Sequence, residues 1–85
     1  MIMFFVHVLK SRDHNWYYAG STKDVSKRLK EHNLGQVRST KFRLPYDVIY
    51  SEKFDSALGA RQQEEKIKSN RQLKESIIRS YGPIV

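Results

Sequence analysis

The stretch WYYAGSTKDVSKRLKEHN, residues 16–33, changes rhythm in the middle, and that change decides the fold. Its first six residues are aromatic or small, the composition of a strand. Ser21 or Thr22 then offers a helix cap, with Asp24 in the first turn, where a carboxylate meets the positive end of the helix dipole. From there to about His32, at roughly 100° per residue, Val25, Arg28, Leu29 and His32 gather on one face. Lys23, Lys27, Lys30 and Glu31 fall on the other side. Arg28 and His32 thus share the face that Val25 and Leu29 must bury. A guanidinium there is costly unless something anionic meets it. A substrate phosphate would serve, and so would an ordinary ion pair or a stem that carries its charge out to water.

Upstream, residues 3–10 (MFFVHVLK) form a second strand signal, joined to residues 16–21 by the polar segment 11–15. This predicts a hairpin, and if residues 10 and 15 face one another, His7 lies opposite Tyr18. Downstream, residues 34–45 read as a loop with Gly35 near the helix end and Pro45 before a third strand, 46–54 (YDVIYSEKF). Asp55 or Ser56 can cap a second helix, 57–68, and Asn70 a third that ends near Tyr81, with Gly82 and Pro83 as stop signals. Leu73, Ile77 and Tyr81 recur at core spacing in that third helix. On the second, Ala57, Ala60, Glu64 and Ile67 share a side, while Glu65 points about 100° away into solvent. Glu64 is therefore the inward carboxylate, and Arg61 or Lys68 could pair with it. The order β-β-α-β-α-α predicts a small α+β domain, an antiparallel three-stranded sheet flanked by helices, spanning residues 1–85.

Eighty-five residues leave room for one core, which buries only about 60% of the unfolded surface. There is no cysteine, which excludes a disulfide scaffold and a thiolate zinc site. The apolar start is too short for a membrane span, is interrupted by Lys10 and Arg12, and lacks the features of a leader. A cytoplasmic location without membrane contact is expected. Sixteen Lys and Arg against nine Asp and Glu give a net charge of +7, which favours a polyanionic partner, nucleic acid above all. Between His32 and Tyr46 the chain carries Arg38, Lys41 and Arg43 and no acid.

Four segments together carry a family resemblance. Phe5-Val6-His7, ten intervening residues and Tyr18-Ala19-Gly20 stand where the GIY-YIG nucleases have their two naming tripeptides. Residues 17–24 and 27–33, residues 39–45 leading into a strand, and the Glu-Glu-Lys-Ile-Lys run within 60–68 are similar to other parts of that domain. The likeness extends from about residue 3 to 80 and is greatest to small single-domain bacterial members. It implies that Glu64 is the single protein ligand of one Mg²⁺ or Mn²⁺, with water and phosphate oxygens completing the shell. Arg28 would grip the scissile phosphate, Tyr18 would orient the attacking water or the phosphate, and His32 would assist positioning. DNA would be the partner, cut by in-line attack of an activated water without an organic cofactor. Further contacts are expected from Lys23, Lys27, Arg38, Ser39, Thr40, Lys41 and Arg43. No base-reading helix is evident, so low sequence specificity and steep salt dependence follow. Trp16, Tyr17 and Phe42 could stack on unpaired bases, although aromatics on strands more commonly serve the core.

Three positions depart from the family. Relatives usually carry a tyrosine, the favoured general base, where His7 stands, and Phe5 replaces the first glycine. A free imidazole with a pKa of about 6.5 can accept a proton at neutral pH, so His7 could be the base. Equally, Tyr18 could take that work with His7 as helper, or the change could leave a nucleic-acid-binding module or an accessory subunit of a DNA repair complex. Gln63 stands where small relatives commonly have arginine, which removes a charge beside Glu64 without removing the ligand.

Overall fold

The computed structural model describes residues 2–81. Strand β1 (Phe4–Ser11) lies at the centre of a three-stranded sheet of order β2-β1-β3, with β2 (Tyr17–Thr22) and β3 (Tyr46–Phe54) antiparallel to it on either side. Successive side chains of a strand point to opposite faces. Val6 and Val8 enter one face, where they meet Ala60, Ile67 and Ile77 from helices α2 (Ala57–Ser69) and α3 (Arg71–Tyr81). His7, Leu9 and Ser11 enter the other, with Tyr46 of β3 and His32 of helix α1 (Val25–Asn33) on that side. All of Val6–Leu9 is at most 2% exposed, which is why residues 3–10 read as a near-continuous apolar run instead of an alternating one.

The predicted element order and sheet are found, with local corrections. The hairpin register is shifted by two residues: His7 pairs with Gly20, and Tyr18 pairs with Leu9. A shift of two preserves the face, so Tyr18 remains diagonal to His7, with ring centroids 6.3 Å apart. Helix α1 begins later than expected. Asp24, not Ser21 or Thr22, is its cap and accepts from the Lys27 amide, while the Thr22 hydroxyl accepts from the Asp24 amide one turn earlier. The helix closes on Gly35, whose φ of +76° is a left-handed value that suits glycine, with the Gly35 and Gln36 amides returned to the carbonyls of His32 and Glu31.

The connecting segment 34–45 contains a short helical turn, Lys41–Arg43. Asn33 ties its two ends together: its amide group donates to the Tyr46 carbonyl and accepts from the Tyr46 amide, at 3.1 and 2.7 Å. Strand β3 carries a bulge, because Val8 pairs with Tyr50 and Leu9 with Val48, leaving Ile49 as the extra residue. Ser56 and Asn70 cap α2 and α3 through the amides of Gly59 and Leu73, as expected. Ala57 is exposed, contrary to its inward placement on the wheel, since the first turn of α2 overhangs the sheet. The stop signals Gly82 and Pro83, and any core contact of the Tyr81 side chain, lie outside the described residues. Among the described residues no helix is long and apolar enough to cross a membrane.

Leu9 is fully buried on the central strand. Leu9→Ala is expected to cost about 2–5 kcal/mol, a large part of the roughly 5 kcal/mol available to so small a domain. Chemical denaturation would show it as a large fall in midpoint.

Candidate active site

The edge strand β2 passes between two helices, and polar groups from both meet along it. Tyr18 and Gly20 face α1, and Ala19 faces α2 and the main core. Gly20 is where the approach is closest. A Cβ at this position would lie 3.0 Å from Tyr18 Cε2 and 3.2 Å from His7 Nε2. Only glycine leaves that small space clear, so the His7 ring and the Tyr18 ring edge look onto the same gap.

His7 is 1% exposed, and neither ring nitrogen has a hydrogen-bond partner among the described residues. Burial pushes its pKa down, the neighbouring positive groups of His32 and Arg28 push it further, and the Glu64 carboxylate opposes them; the result is about 4. The imidazole is therefore neutral at physiological pH. It also lies within electrostatic reach of a residue from each of the first two helices.

Arg28 is one-third exposed. Its guanidinium donates to Glu31 at 3.0 Å and lies within electrostatic reach of the Tyr18 hydroxyl. These contacts, the Glu31 one first, raise its pKa further. Glu31 was expected on the solvent side of α1, yet it is half-buried beside Arg28, because residues three apart on a helix are neighbours. The ordinary ion pair thus satisfies Arg28. His32 is fully buried, its ring 4.7 Å from that of Tyr18 and its Nδ1 2.7 Å from the Thr40 hydroxyl. It supports the Tyr18 ring from behind, and burial, followed by the charge of Arg28, keeps its pKa low.

Glu64 arrives from α2 with a side chain only 16% exposed, while Glu65 next to it is exposed, as the wheel indicated. Lys68 Nζ lies 2.6 Å from its Oε2, and the Ser21 hydroxyl faces it from β2. Burial alone would raise the carboxyl pKa, but the approach of Lys68 and Ser21 and the Lys68 charge outweigh it and hold Glu64 below the usual carboxylate range. Glu64 is ionised at neutral pH. Gln63 turns away from this cluster, with its amide nitrogen 3.5 Å from the Tyr50 hydroxyl on β3.

The basic residues divide into two groups. Lys23 and Lys27 share a groove of about 330 Å³ with Ser21, Asp24, Arg28 and Glu31. Arg38, Ser39 and Lys41 are exposed on the connecting segment, and the Arg43 guanidinium lies 3.8 Å from the centroid of the Trp16 ring, which is 40% exposed. Phe42 is 76% exposed. Thr40 is different. It is fully buried, with its hydroxyl engaged by His32 and the Val37 carbonyl, so it is unavailable as a surface phosphate donor and must be removed from the expected DNA contacts. Tyr17 packs against the main core, which also removes it from the stacking candidates.

A family model for the GIY-YIG catalytic domain matches residues 3–76. The chain belongs to the GIY-YIG family. GIY-YIG domains are generally nuclease domains, so membership suggests a nuclease-type function and implies a nucleic-acid substrate. The chain is 43% identical to UPF0213 protein YazA of Bacillus subtilis over 61 residues, covering 71% of this chain and 61% of that protein. A UPF0213 protein of Staphylococcus saprophyticus is 37% identical over 76 residues, 87% of this chain and 92% of its own length. Among solved structures, the solution NMR structure of a UPF0213 protein from Bacillus halodurans superposes with a TM-score of 0.56 at 28% identity, covering 95% of this chain and 88% of that one. Its likeness supports the same α+β architecture.

Sequence reasoning placed Gly20 in a tripeptide without seeing the close approach it permits, gave Ser21 no role beside Glu64, and missed Glu31 as the partner of Arg28. The Glu31 and Lys68 pairings were readable from three- and four-residue spacing. The approach of Ser21 to Glu64 depends on how α2 lies over the edge strand, which no local pattern records.

The neutral state of His7 has a thermodynamic consequence. An unfolded chain protonates this histidine near pH 6.5, the folded one only near pH 4. Between those values the unfolded state holds more protons, so stability must fall as pH drops from about 6.5 to 4, by up to about 3 kcal/mol. Denaturation curves at pH 7 and pH 4.5 should differ accordingly, and His7→Phe should remove most of that difference.

Proposed function

We propose that this chain, as one domain over residues 1–85, is a divalent-metal-dependent nuclease that hydrolyses DNA phosphodiesters with little sequence preference, working in the cytoplasm. The observation that carries this reading is the convergence of a neutral imidazole, a tyrosine, a guanidinium and an ionised carboxylate from four separate elements, β1, β2, α1 and α2, on one edge of the sheet.

The donor set fits a hard cation. Glu64 offers one ionised carboxylate, and among the described residues there is no group of three or more His, Cys, Asp or Glu that could form a closed protein cage. A Mg²⁺ or Mn²⁺ held by Glu64 would keep most of its shell as water and phosphate oxygen. When bound, such an ion supplies stabilisation of the charge that builds on the phosphoryl and leaving oxygens.

The remaining work belongs to this chain's side chains. Arg28 grips a non-bridging oxygen of the scissile phosphate, exchanging part of its contact with Glu31 for the substrate. Tyr18, near Arg28 and packed on His32, helps fix the orientation of guanidinium and phosphate. His7 receives the proton of the attacking water. A pKa of about 4 makes it a weak base in the free protein, but an arriving phosphodiester opposes the field of Arg28 and raises its proton affinity. Lys23 and Lys27 beside Arg28, and Arg38, Ser39, Lys41 and Arg43 on the connecting segment, bind flanking phosphates. Their contribution is electrostatic and weakens with salt.

The exposed Trp16 ring under Arg43 and the exposed Phe42 under Lys41 favour single-stranded or branched DNA within this reading, because unpaired bases can stack on such rings. A second reading, a nucleic-acid-binding module or repair-complex subunit without turnover, draws on the enclosure of His7 and the tie between Glu64 and Lys68.

One assay separates the two. With Mg²⁺ or Mn²⁺ the protein should cut labelled DNA, and Glu64→Gln should abolish cutting while DNA affinity changes by only a few-fold. Arg28→Ala should slow turnover by about a thousandfold, each factor of ten being about 1.4 kcal/mol of barrier. Cutting that survives in Glu64→Gln, or its absence in the unaltered protein, rejects the nuclease reading. For substrate form, the double variant Trp16→Ala, Phe42→Ala should lose about tenfold in affinity for single strands and little for duplex. Equal losses on both would remove the stacking argument.

A further inference from the structure

The pair on helix α2 that satisfies Glu64 has a role of its own. Lys68 Nζ lies 2.6 Å from Glu64 Oε2, one helical turn away. The two partners are unequally placed. The Glu64 side chain is 16% exposed and faced from the strand side by Ser21, whereas the Lys68 side chain is 48% exposed at the rim. If the contact breaks, Lys68 is the partner free to move.

We infer that Lys68 is a built-in competitor for the Glu64 carboxylate, occupying the place beside Oε2 that a divalent cation needs and having to leave before one binds. The inference rests on the reading of Glu64 as the metal ligand and adds a residue that sets how readily the ion enters. Mg²⁺ and Mn²⁺ sit about 2.1 Å from a carboxylate oxygen. An ion on Oε2 would then lie within about 4 Å of an ammonium still hydrogen-bonded to that oxygen, and two cations that close repel strongly. That oxygen accommodates one or the other. A destination for Lys68 is at hand. Its side chain is 48% exposed, and its flexible four-carbon stem can carry the ammonium away into solvent. With no ion present the ammonium keeps a half-buried carboxylate from standing unpaired, a state that would be expensive. The same contact that protects the free site thus weakens its hold on metal.

The test is Mn²⁺ binding to the full chain by isothermal titration calorimetry, without DNA and therefore independent of turnover. Lys68→Gln should bind Mn²⁺ about two- to tenfold more tightly than the unaltered protein, the scale of one partly exposed ion pair. Lys68→Met, which retains the stem's packing, should do the same, and Lys68→Arg, which retains the charge, should stay near the unaltered value. Thermal melts confirm that each variant is folded. Unchanged or weaker binding in the two charge-free variants overturns the inference while leaving Glu64 as ligand. Binding that persists undiminished in Glu64→Gln overturns Glu64 as ligand and the inference with it. So does absence of binding in both the unaltered protein and Lys68→Gln at millimolar Mn²⁺. Binding that emerges only when Lys68 is neutralised supports the competition in its strongest form.

Discussion

The enclosure of β1 on both faces constrains everything else in this domain. Only one strand is central, and both its neighbours are edges. With Val6 and Val8 sealed by α2 and α3, and His7 and Leu9 covered from the α1 side, the helices have little freedom in where they lie. Their polar residues can then meet only around the rim of the sheet. Edge strand β2 supplies that rim, with Tyr18 directed to one side and Ser21 to the other. The site is a by-product of how a small sheet must be covered.

Charge within the site is balanced locally. Arg28 has Glu31, Glu64 has Lys68, and each partner comes from the same helix one turn away. Such short-range pairs keep half-buried charges from standing alone, and they require no correct long-range packing to form. His7 is the exception. Its two nitrogens have no partner among the described residues, and its charge is suppressed instead of balanced. Unsatisfied polar atoms in a core cost stability, and among the described residues His7 shares that cost with His32 Nε2 and the Tyr46 hydroxyl.

The sequence revealed features that depend on periodicity and concealed those that depend on register or depth. Element order, the bounds of β3 and the Ser56 and Asn70 caps were readable because apolar spacing and capping chemistry are local. The start of α1 was misplaced because Ser21, Thr22 and Asp24 are all competent caps, and the Thr22 hydroxyl in fact closes the turn that precedes the true one. The hairpin slipped by two because no Asn-Gly or Asp-Gly pair fixes the turn, although alternation kept His7 and Tyr18 on a common face. Thr40 resembled a surface hydroxyl among basic residues. Its burial follows from the path of the connecting segment under His32, which composition does not encode.

The bulge in β3 acts as a spatial frameshift. Counting back from Tyr50 opposite Val8, an unbroken ladder would set Asp47 against Ser11 and bring an acid beneath His32. The surplus Ile49 moves the frame by one, so that Tyr46 takes the inner position and Asp47 turns outward to its ion pair with Arg12. One inserted residue thereby decides whether the floor beneath the histidine is aromatic or anionic, and so which protonation state that floor would favour.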